Sequence, residues 1–335
     1  AIVNKIRRPR DIAPAIAALH AAGMPLIVDL QVLRDARGNP YAQVGPGGMG
    51  LPDPGFYGNA DPLVQPVEAR YQAAVAEWLK LTGSAPAKAA AEAAAVLQME
   101  RQLAKATLAG VSFTVMPTAE AEKLAAGLGL KNLLAAHGLK ATEVAMTGPE
   151  FFVALDQLIA RTKPEQWKTY LRAHIARDMA PTLGKAFNDP WGQLYDVTLR
   201  GQDAPTPRAL RARWVLEARV PELIDAAYTQ RFLPVPRQER AQAIAAAVRA
   251  AAIERVGQAA WLSEAGKASA RQRLESMGVQ LGTEVPDNVF DDLRFSRDNL
   301  AGNVITLRKW LMKYALVRAR FAWPAEQWQP MVAYL

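Results

Sequence analysis

The segment GPGGMGLPDPGFYG, residues 45–58, decides how the fold is interpreted, because six of its fourteen positions are glycine and three are proline. Glycine-rich segments either wrap a phosphate group or turn the chain through a sharp corner. A phosphate loop would need a helix directly after its glycine cluster, whereas Pro52 and Pro54 follow the cluster of Gly47, Gly48 and Gly50 here. We therefore predict a corner, with Phe56 and Tyr57 anchoring it in the core.

The residues before this corner carry the one convincing β signal in the chain. PLIVDLQVL (25–33) is rich in β-branched residues, RDARGNP (34–40) has turn residues, and YAQVG (41–45) is a second extended run. The pattern predicts a β-hairpin over about 25–45. A short helix over 11–22, ending at Gly23, is predicted to precede it.

From Asp61 onward the pattern is helical almost throughout. Asp61-Pro62 is typical of a helix start, and an alanine-rich segment over 86–109 ends at Gly110. Thr147 and Thr162 each lie three residues before a glutamate, which is capping-box spacing. Further helices are predicted over 208–231, 238–260, 263–277 and about 297–320. The fold class is mainly α: a large multi-helix domain with one small β-hairpin near the N-terminus.

Apolar residues recur at helical spacing in these segments, which predicts their buried faces. Three stripes follow the two capping boxes and the start of 208–231. They are Phe152, Leu155 and Ile159; Trp167, Tyr170, Leu171 and His174; and Leu216, Val220, Leu223 and Ala227. The last helix places Leu300, Val304, Leu307, Leu311 and Tyr314 on a narrow seam.

The composition excludes several function classes. The chain of 335 residues has no cysteine, so disulfides, thiolate metal sites and a cysteine nucleophile are excluded. Half of its residues are hydrophobic, but no apolar run is long enough to span a membrane. The net charge of +8 permits nucleic-acid binding, yet the basic clusters are short and not interleaved with aromatic residues. We expect neither a membrane span nor a nucleic-acid partner.

The three histidines, His20, His137 and His174, are each isolated in the sequence, and no His-Glu dipeptide occurs. A zinc peptidase helix needs two histidines four residues apart with a glutamate between them. The chain also lacks a Gly-x-Ser-x-Gly elbow and a Walker A loop. We therefore predict that each histidine is a packed or surface residue, and we assign no catalytic and no metal-binding residue.

GGMGLPDPGFYG (47–58) resembles the Gly-Gly-Leu-Gly-Leu-Pro-Asp signature of the neprilysin-like M13 zinc metallopeptidases, which include the bacterial oligopeptidase O enzymes. Further segments are similar to family motifs in the same order along essentially the whole chain. They are FTVMPTAEAEKLA (113–125), EQWKTYLRAHIAR (165–177), RARWVLEARVPELIDAAYTQRFLP (211–234), AAWLSEAGKASARQRLESMGVQLG (259–282) and WPAEQWQPMVAYL (323–335).

The resemblance implies part of a zinc-dependent endopeptidase acting on short peptides. In the family, zinc is held by His-Glu-x-x-His and a later glutamate, and these elements follow the run that 323–335 resembles. We therefore expect residues 1–320 to be the helical cap domain that encloses the peptide chamber. Residues 321–335 would lead toward a catalytic domain absent from this chain. No zinc cofactor is expected in the chain itself, and whether it is an enzyme stays open.

The resemblance also assigns a candidate substrate-binding position, with one departure. Val332 and Ala333 match the family's Asn-Ala pair, whose asparagine holds the substrate backbone, and valine cannot make that hydrogen bond. The alternative is therefore a non-catalytic homologue that binds peptides or a partner protein. The family implies a periplasmic or extracellular location, with the cytoplasm as the alternative.

Overall fold

The computed structural model describes residues 1–34, 40–110, 112–279, 281 and 290–320. The helices are α1 (Ile12–Ala21), α2 (Gln65–Leu81), α3 (Pro86–Ala109), α4 (Thr118–Leu124), α5 (Leu130–Ala136), α6 (Pro149–Arg161), α7 (Pro164–Met179), α8 (Lys185–Gly192), α9 (Arg208–Arg219), α10 (Pro221–Phe232), α11 (Val235–Gln258), α12 (Glu264–Ser276) and α13 (Leu300–Arg320). The strands are β1 (Val28–Arg34), β2 (Pro40–Pro46), β3 (Phe113–Pro117) and β4 (Glu143–Thr147). The prediction of a mainly α fold is confirmed.

The predicted hairpin is present as β1 and β2, which pair antiparallel from Val28 opposite Pro46 to Arg34 opposite Pro40. The hairpin turn predicted between them falls on residues 35–39, which lie outside the described residues. The hairpin is half of a four-stranded sheet of order β1-β2-β4-β3, in which β2 and β4 run parallel and β3 and β4 antiparallel.

Strands β3 and β4 are absent from the sequence prediction, and the hairpin is therefore not the whole β structure. Each has five residues. In β4, Val144, Ala145 and Met146 are all buried, so the strand is a short apolar run that periodicity does not distinguish from a helix. Strand β3 exposes Phe113 and Val115 and lacks the alternation of a half-buried strand.

Several predicted helix starts are wrong by a few residues. The helix α2 begins at Gln65, because Asp61 caps a turn instead, its Oδ1 accepting the amide of Leu63 at 2.8 Å. The N-caps of α6 and α7 are Gly148 and Lys163, one residue after the predicted threonines. In both helices a proline occupies the first position, where its missing N–H costs nothing.

One predicted helix is two in the structure. Pro221 divides the segment 208–231 into α9 and α10, because proline lacks the N–H that would continue the helix. Of the stripe predicted along this segment, Val220 is buried, but the prediction is wrong for Leu216 and Leu223, which are 46% and 40% exposed. The alanine-rich segment 86–109, by contrast, is helix α3 with the predicted bounds, followed by Gly110.

The chain forms two compact units. The first contains Ala1–Arg211 together with α13, and it holds the sheet and the main core. The largest fully buried side chains of this core are Trp78, Trp167, Tyr71, Tyr170, Phe151 and Phe152. The stripes predicted on α6 and α7 are confirmed as buried faces, and on α13 Val304 and Leu307 are buried.

The second unit begins at Ala212 and, among the described residues, ends at Asp292. Its helices α11 and α12 pack on each other. Neither of them contains a buried residue in the described part of the chain. On α11 the apolar residues Ile244 and Val248 are exposed.

Candidate functional site

The segment 45–58 runs from the end of β2 to the approach of α2, as the predicted corner requires. Phe56 and Tyr57 are half-buried and pack on the core, which confirms their predicted anchoring role. Gly48 has φ +73°, a conformation that favours glycine. At Gly50 a Cβ atom would lie 1.9 Å from the hydroxyl of Tyr71, so only glycine fits.

Glu100, on α3, is the centre of a polar cluster beneath this corner and is fully buried. Its carboxylate accepts hydrogen bonds from the hydroxyls of Tyr57 at 2.5 Å and Tyr71 at 2.6 Å. It also accepts the backbone amide of Gly50 at 3.1 Å, and the Nε2 atom of His174 lies 2.9 Å away. One buried carboxylate thus joins the corner to α2, α3 and α7.

Three successive carbonyls of the corner are held by side chains from α7 and from the π-helical turn Gln193–Leu199. Tyr170 donates to the carbonyl of Gly48, Arg177 donates to that of Met49 at 2.5 Å, and Tyr195 donates to that of Gly50 at 2.6 Å. The amides of Gly50 and Leu51 both donate to the Tyr57 hydroxyl at 2.8 Å. The backbone therefore has its polar groups satisfied without a regular element, as burial requires.

The charges of this cluster compensate one another. Burial by itself raises the pKa of Glu100, but the neighbouring His174 and the hydrogen bonds from Tyr57 and Tyr71 outweigh it, and the net shift is downward. Burial by itself lowers the pKa of Arg177, but Tyr195, Tyr71 and Glu100 raise it, and the net shift is upward. Burial lowers the pKa of His174. The result is a charged, fully buried carboxylate together with a partly buried guanidinium.

The Glu100 cluster is a structural clamp, because its side chains fix the backbone of the corner. Glu100, Tyr71, Tyr170 and His174 are each at most 1% exposed, so none of them can touch a substrate from solution. Burial raises the pKa of Tyr71 and Tyr170 well above its usual value, and these hydroxyls stay protonated as donors. The cluster holds the corner in place and offers no free nucleophile.

The three histidines are all buried, as packed residues, but two of them are not alone. The Nδ1 atom of His20 lies 3.2 Å from the Nε2 atom of His137, and the rings meet edge to face with centroids 5.4 Å apart. Both are packed residues, as predicted, and the fold joins them although they lie 117 positions apart in the sequence. His174 lies in the Glu100 cluster.

The candidate substrate-binding residues Val332 and Ala333 lie outside the described residues. Within the part that is described, no group of three or more His, Cys, Asp or Glu side chains could hold a metal ion. The His20–His137 pair does not fit zinc, since it has no third ligand and one nitrogen of His20 faces the carbonyl of Leu26 at 2.9 Å. No helix in the described ranges is long and apolar enough to cross a membrane.

The sequence contained a signal for Glu100 that the prediction did not use. Residues Ala89, Ala93, Val96, Glu100 and Leu103 follow one face of α3, and all five are buried. An acidic residue on an otherwise apolar stripe must find donors, because an unpaired buried carboxylate is costly. Its four contacts come from residues between 29 and 74 positions away, which helical periodicity cannot reveal.

Solved structures share this fold. The chain aligns with the Mycobacterium tuberculosis zinc metalloprotease Zmp1 in complex with an inhibitor, with a TM-score of 0.82, 20% identity and 97% of this chain covered. It aligns with Zmp1 in an open state at a TM-score of 0.79 and 21% identity, covering 95% of this chain. It aligns with PepO from Lactobacillus rhamnosis HN001 at a TM-score of 0.79 and 20% identity, covering 93% of this chain. This chain spans about half of each, 51% of their length.

The sequence itself matches a family profile. The profile is described as Peptidase family M13, in its N-terminal part, and the match runs over residues 2–284. It includes the corner at 45–58 and the helix that carries Glu100. Because the match covers most of the 335 residues, the chain belongs to peptidase family M13 and corresponds to its N-terminal portion.

Proposed function

We propose that this chain is the helical, chamber-forming part of a zinc-dependent endopeptidase that acts on short peptides. One observation carries the proposal: the fold matches zinc metalloproteases over nearly the whole chain but covers only 51% of their length. In the 335 residues no histidine is followed by glutamate. The metal-binding half of the enzyme would therefore be supplied by residues outside this sequence.

The role of this part would be to limit which substrates reach the zinc. A wall of packed helices excludes folded proteins from the enclosed chamber while extended short peptides enter, and closure removes bulk water from the reaction. The first unit suits a wall, because its buried clamp at Glu100 ties the sheet corner to α2, α3 and α7. We propose that this unit acts as a rigid body during opening and closing.

The test compares three samples: the 335-residue chain alone, the zinc-binding half of an M13 relative alone, and the two joined in one polypeptide. Zinc is measured by mass spectrometry, and activity with a quenched fluorogenic peptide of about ten residues and with casein. We expect the chain alone to bind no stoichiometric zinc and to cleave nothing. We expect the joined protein to cleave the peptide and to spare casein.

A matched control is the joined protein with its motif glutamate replaced by glutamine, which keeps zinc but loses the general base. One tightly bound zinc in the chain alone would contradict the proposal. Equal cleavage of casein and peptide by the joined protein would contradict the proposed selection by size while leaving the enzyme assignment intact.

A second function is supported by one observation, the valine at position 332 where the family has asparagine. Under this alternative the chain is a non-catalytic homologue that binds peptides or a partner protein. Two measurements separate the two functions: calorimetric titration of the chain alone with the same peptide, and the activity of the joined protein. Saturable binding by the chain together with no hydrolysis by the joined protein would favour the non-catalytic homologue. If Val332→Asn restores cleavage to the joined protein, the chain derives from an active enzyme.

A further inference from the structure

The buried pair of His20 and His137 joins α1 to the end of α5, and it lies outside the corner cluster. The two side chains are 2% and 8% exposed. The Nε2 atom of His20 is 2.9 Å from the carbonyl of Leu26, in the segment that leads into β1. The pair thus connects three parts of the first unit: α1, α5 and the entry to the sheet.

The hydrogen bonds determine the protonation of this pair. A carbonyl only accepts, so the Nε2 atom of His20 must carry its hydrogen and donate to Leu26. The Nδ1 atom of neutral His20 is then a bare acceptor, and it faces the Nε2 atom of His137 at 3.2 Å. His137 must therefore donate through Nε2–H. Adding a proton to Nδ1 of His20 would place two N–H groups against each other.

The residue after Leu26 has an unusual backbone conformation. Ile27 is buried and has φ +78°, which is unfavourable for a β-branched side chain. Its backbone lies directly against the corner: a Cβ atom on Gly47 would come 2.8 Å from the Ile27 carbonyl oxygen. One on Gly48 would come 3.1 Å from the Ile27 Cα atom. Strain of this kind persists only where the surroundings enforce it.

We propose that the His20–His137 pair is an acid-sensitive latch: a proton on Nδ1 of His20 breaks the contact with His137. The charged ring reaches water only by leaving its buried site, and this movement releases the strained Leu26–Ile27 backbone from the corner at Gly47 and Gly48. The sheet entry and the corner would then open locally while the helical core stays folded. This inference does not depend on the proposed peptidase role.

The electrostatics support the latch. Burial lowers the pKa of His20 to about 4, against the opposing effect of the Leu26 carbonyl, and the proximity of His137 lowers it further. Burial also lowers the pKa of His137. A histidine whose pKa is depressed in the folded state stabilises fully above its ordinary value of about 6.5 and loses that stabilisation as the pH falls. The sensitive window therefore lies between about pH 6.5 and pH 4.

Other charged groups lie on the elements around the pair. The turn before α1 carries Arg10 and Asp11, and Asp11 accepts the backbone amides of Arg7 and Arg8. Helix α5 carries Lys131, whose amide donates to Glu122 on α4. Helix α4 adds Glu120 and Lys123, and β1 adds Asp29. Helix α13 places Lys309 and Arg308 beside Gly23, and Arg308 is paired with Asp178. The electrostatic effect on His20 comes from His137.

The first experiment reads the tautomers and the titration directly. With only three histidines in the chain, ¹⁵N-histidine labelling gives three ring systems to assign. At pH 7.5 we expect His20 and His137 both as Nε2–H tautomers, and His20 to remain neutral down to pH 5. An Nδ1–H tautomer of His20, or a His20 titration midpoint near 6.5, would overturn the proposal.

The second experiment measures local opening by amide hydrogen exchange, corrected for the intrinsic rate, in the wild type and two variants. If the pKa of His20 rises from about 4 to about 6.5 on opening, the open population grows about twentyfold between pH 7 and pH 5. We expect this increase in segments 26–30 and 47–50 and not in α3. An equal increase in α3 would mean global unfolding and would overturn a local latch.

The variants separate titration from packing. In His20→Gln the amide nitrogen can donate to Leu26 and the amide oxygen can accept from His137, without titrating in this window. We expect its exchange to keep only the weaker acid response that His137 supplies, since burial also lowers the pKa of His137. His20→Phe keeps the ring volume but loses both contacts, and we expect raised exchange at every pH. A twentyfold acid response in His20→Gln would overturn the proposal.

Discussion

Helices α3 and α11 are alike in length and alanine content but differ in how much of each helix is buried. Each has 24 residues, each is rich in alanine, and each has a proline in its first two positions. Yet α3 contains eight buried residues, whereas α11 contains none in the described chain. Helix α3 packs against α2, α6 and α7, and the described contacts of α11 are made with α12.

This difference shows that local propensity is enough to form a helix. The elements packed against the helix decide how much it contributes to the free energy of unfolding. Alanine gives both helices favourable backbone energetics at every turn. Each large apolar side chain that α3 buries adds roughly 2 kcal/mol, which the exposed Ile244 and Val248 of α11 do not contribute.

The largest effect is expected from Gly50→Ala, which strikes the contact between the corner and α3. The added Cβ would lie 1.9 Å from the Tyr71 hydroxyl and displace its hydrogen bond to Glu100. We expect a loss of about 4 kcal/mol or failure to fold, measured by urea denaturation with tryptophan fluorescence. Gly184→Ala is the control, because its Cβ meets nothing within 4 Å. A loss below 1 kcal/mol in Gly50→Ala would show that the corner yields easily.

Glu100→Gln should cost about 3 kcal/mol, because it removes the buried negative charge that the Tyr57 and Tyr71 hydroxyls face and turns one acceptor into a donor. Glu254→Gln on α11 should change the unfolding free energy by less than about 0.5 kcal/mol, since Glu254 is exposed. Both are measured by urea denaturation at pH 7.5. Equal effects in the two variants would contradict the contrast between the helices.

Leu103→Ala removes a side chain with no exposed surface and should cost about 3 kcal/mol through lost burial and a cavity. Ile244→Ala on α11 should cost less than about 0.5 kcal/mol, because that side chain is 57% exposed. Thermal denaturation of both variants beside the wild type measures this. In the joined protein described above, a larger cost for Ile244→Ala would reveal that the added half covers α11.

The smallest effect is expected from Ala91→Gly and Ala247→Gly, at exposed positions of the two helices. Both should cost about 1 kcal/mol of helix propensity. In α3 the surrounding core keeps the helix formed, whereas in α11 the loss should appear as faster amide exchange around position 247. Hydrogen exchange with mass spectrometry distinguishes the two. Unchanged exchange in α11 would indicate an anchor that its exposure does not show.

Much of the fold followed from patterns of short range. The bounds of α3 followed from alanine content and Gly110, and the hairpin followed from β-branched runs around a turn. Predictions failed where distant residues decide. Strand β4 is an interior strand of the sheet, and its Val144, Ala145 and Met146 are buried on both faces. Helix α2 starts four residues after Asp61, because that aspartate caps a turn instead.

By itself the sequence determined the helical class, the hairpin, the absence of a His-Glu pair and the corner at 45–58, since each depends on neighbouring residues or on local backbone freedom. Only the tertiary structure decided that Glu100 binds that corner and that His20 meets His137. A buried carboxylate or imidazole must find its hydrogen-bond donor or acceptor wherever the fold brings one within about 3 Å. For His20 that group is 117 positions away, beyond the reach of any periodicity.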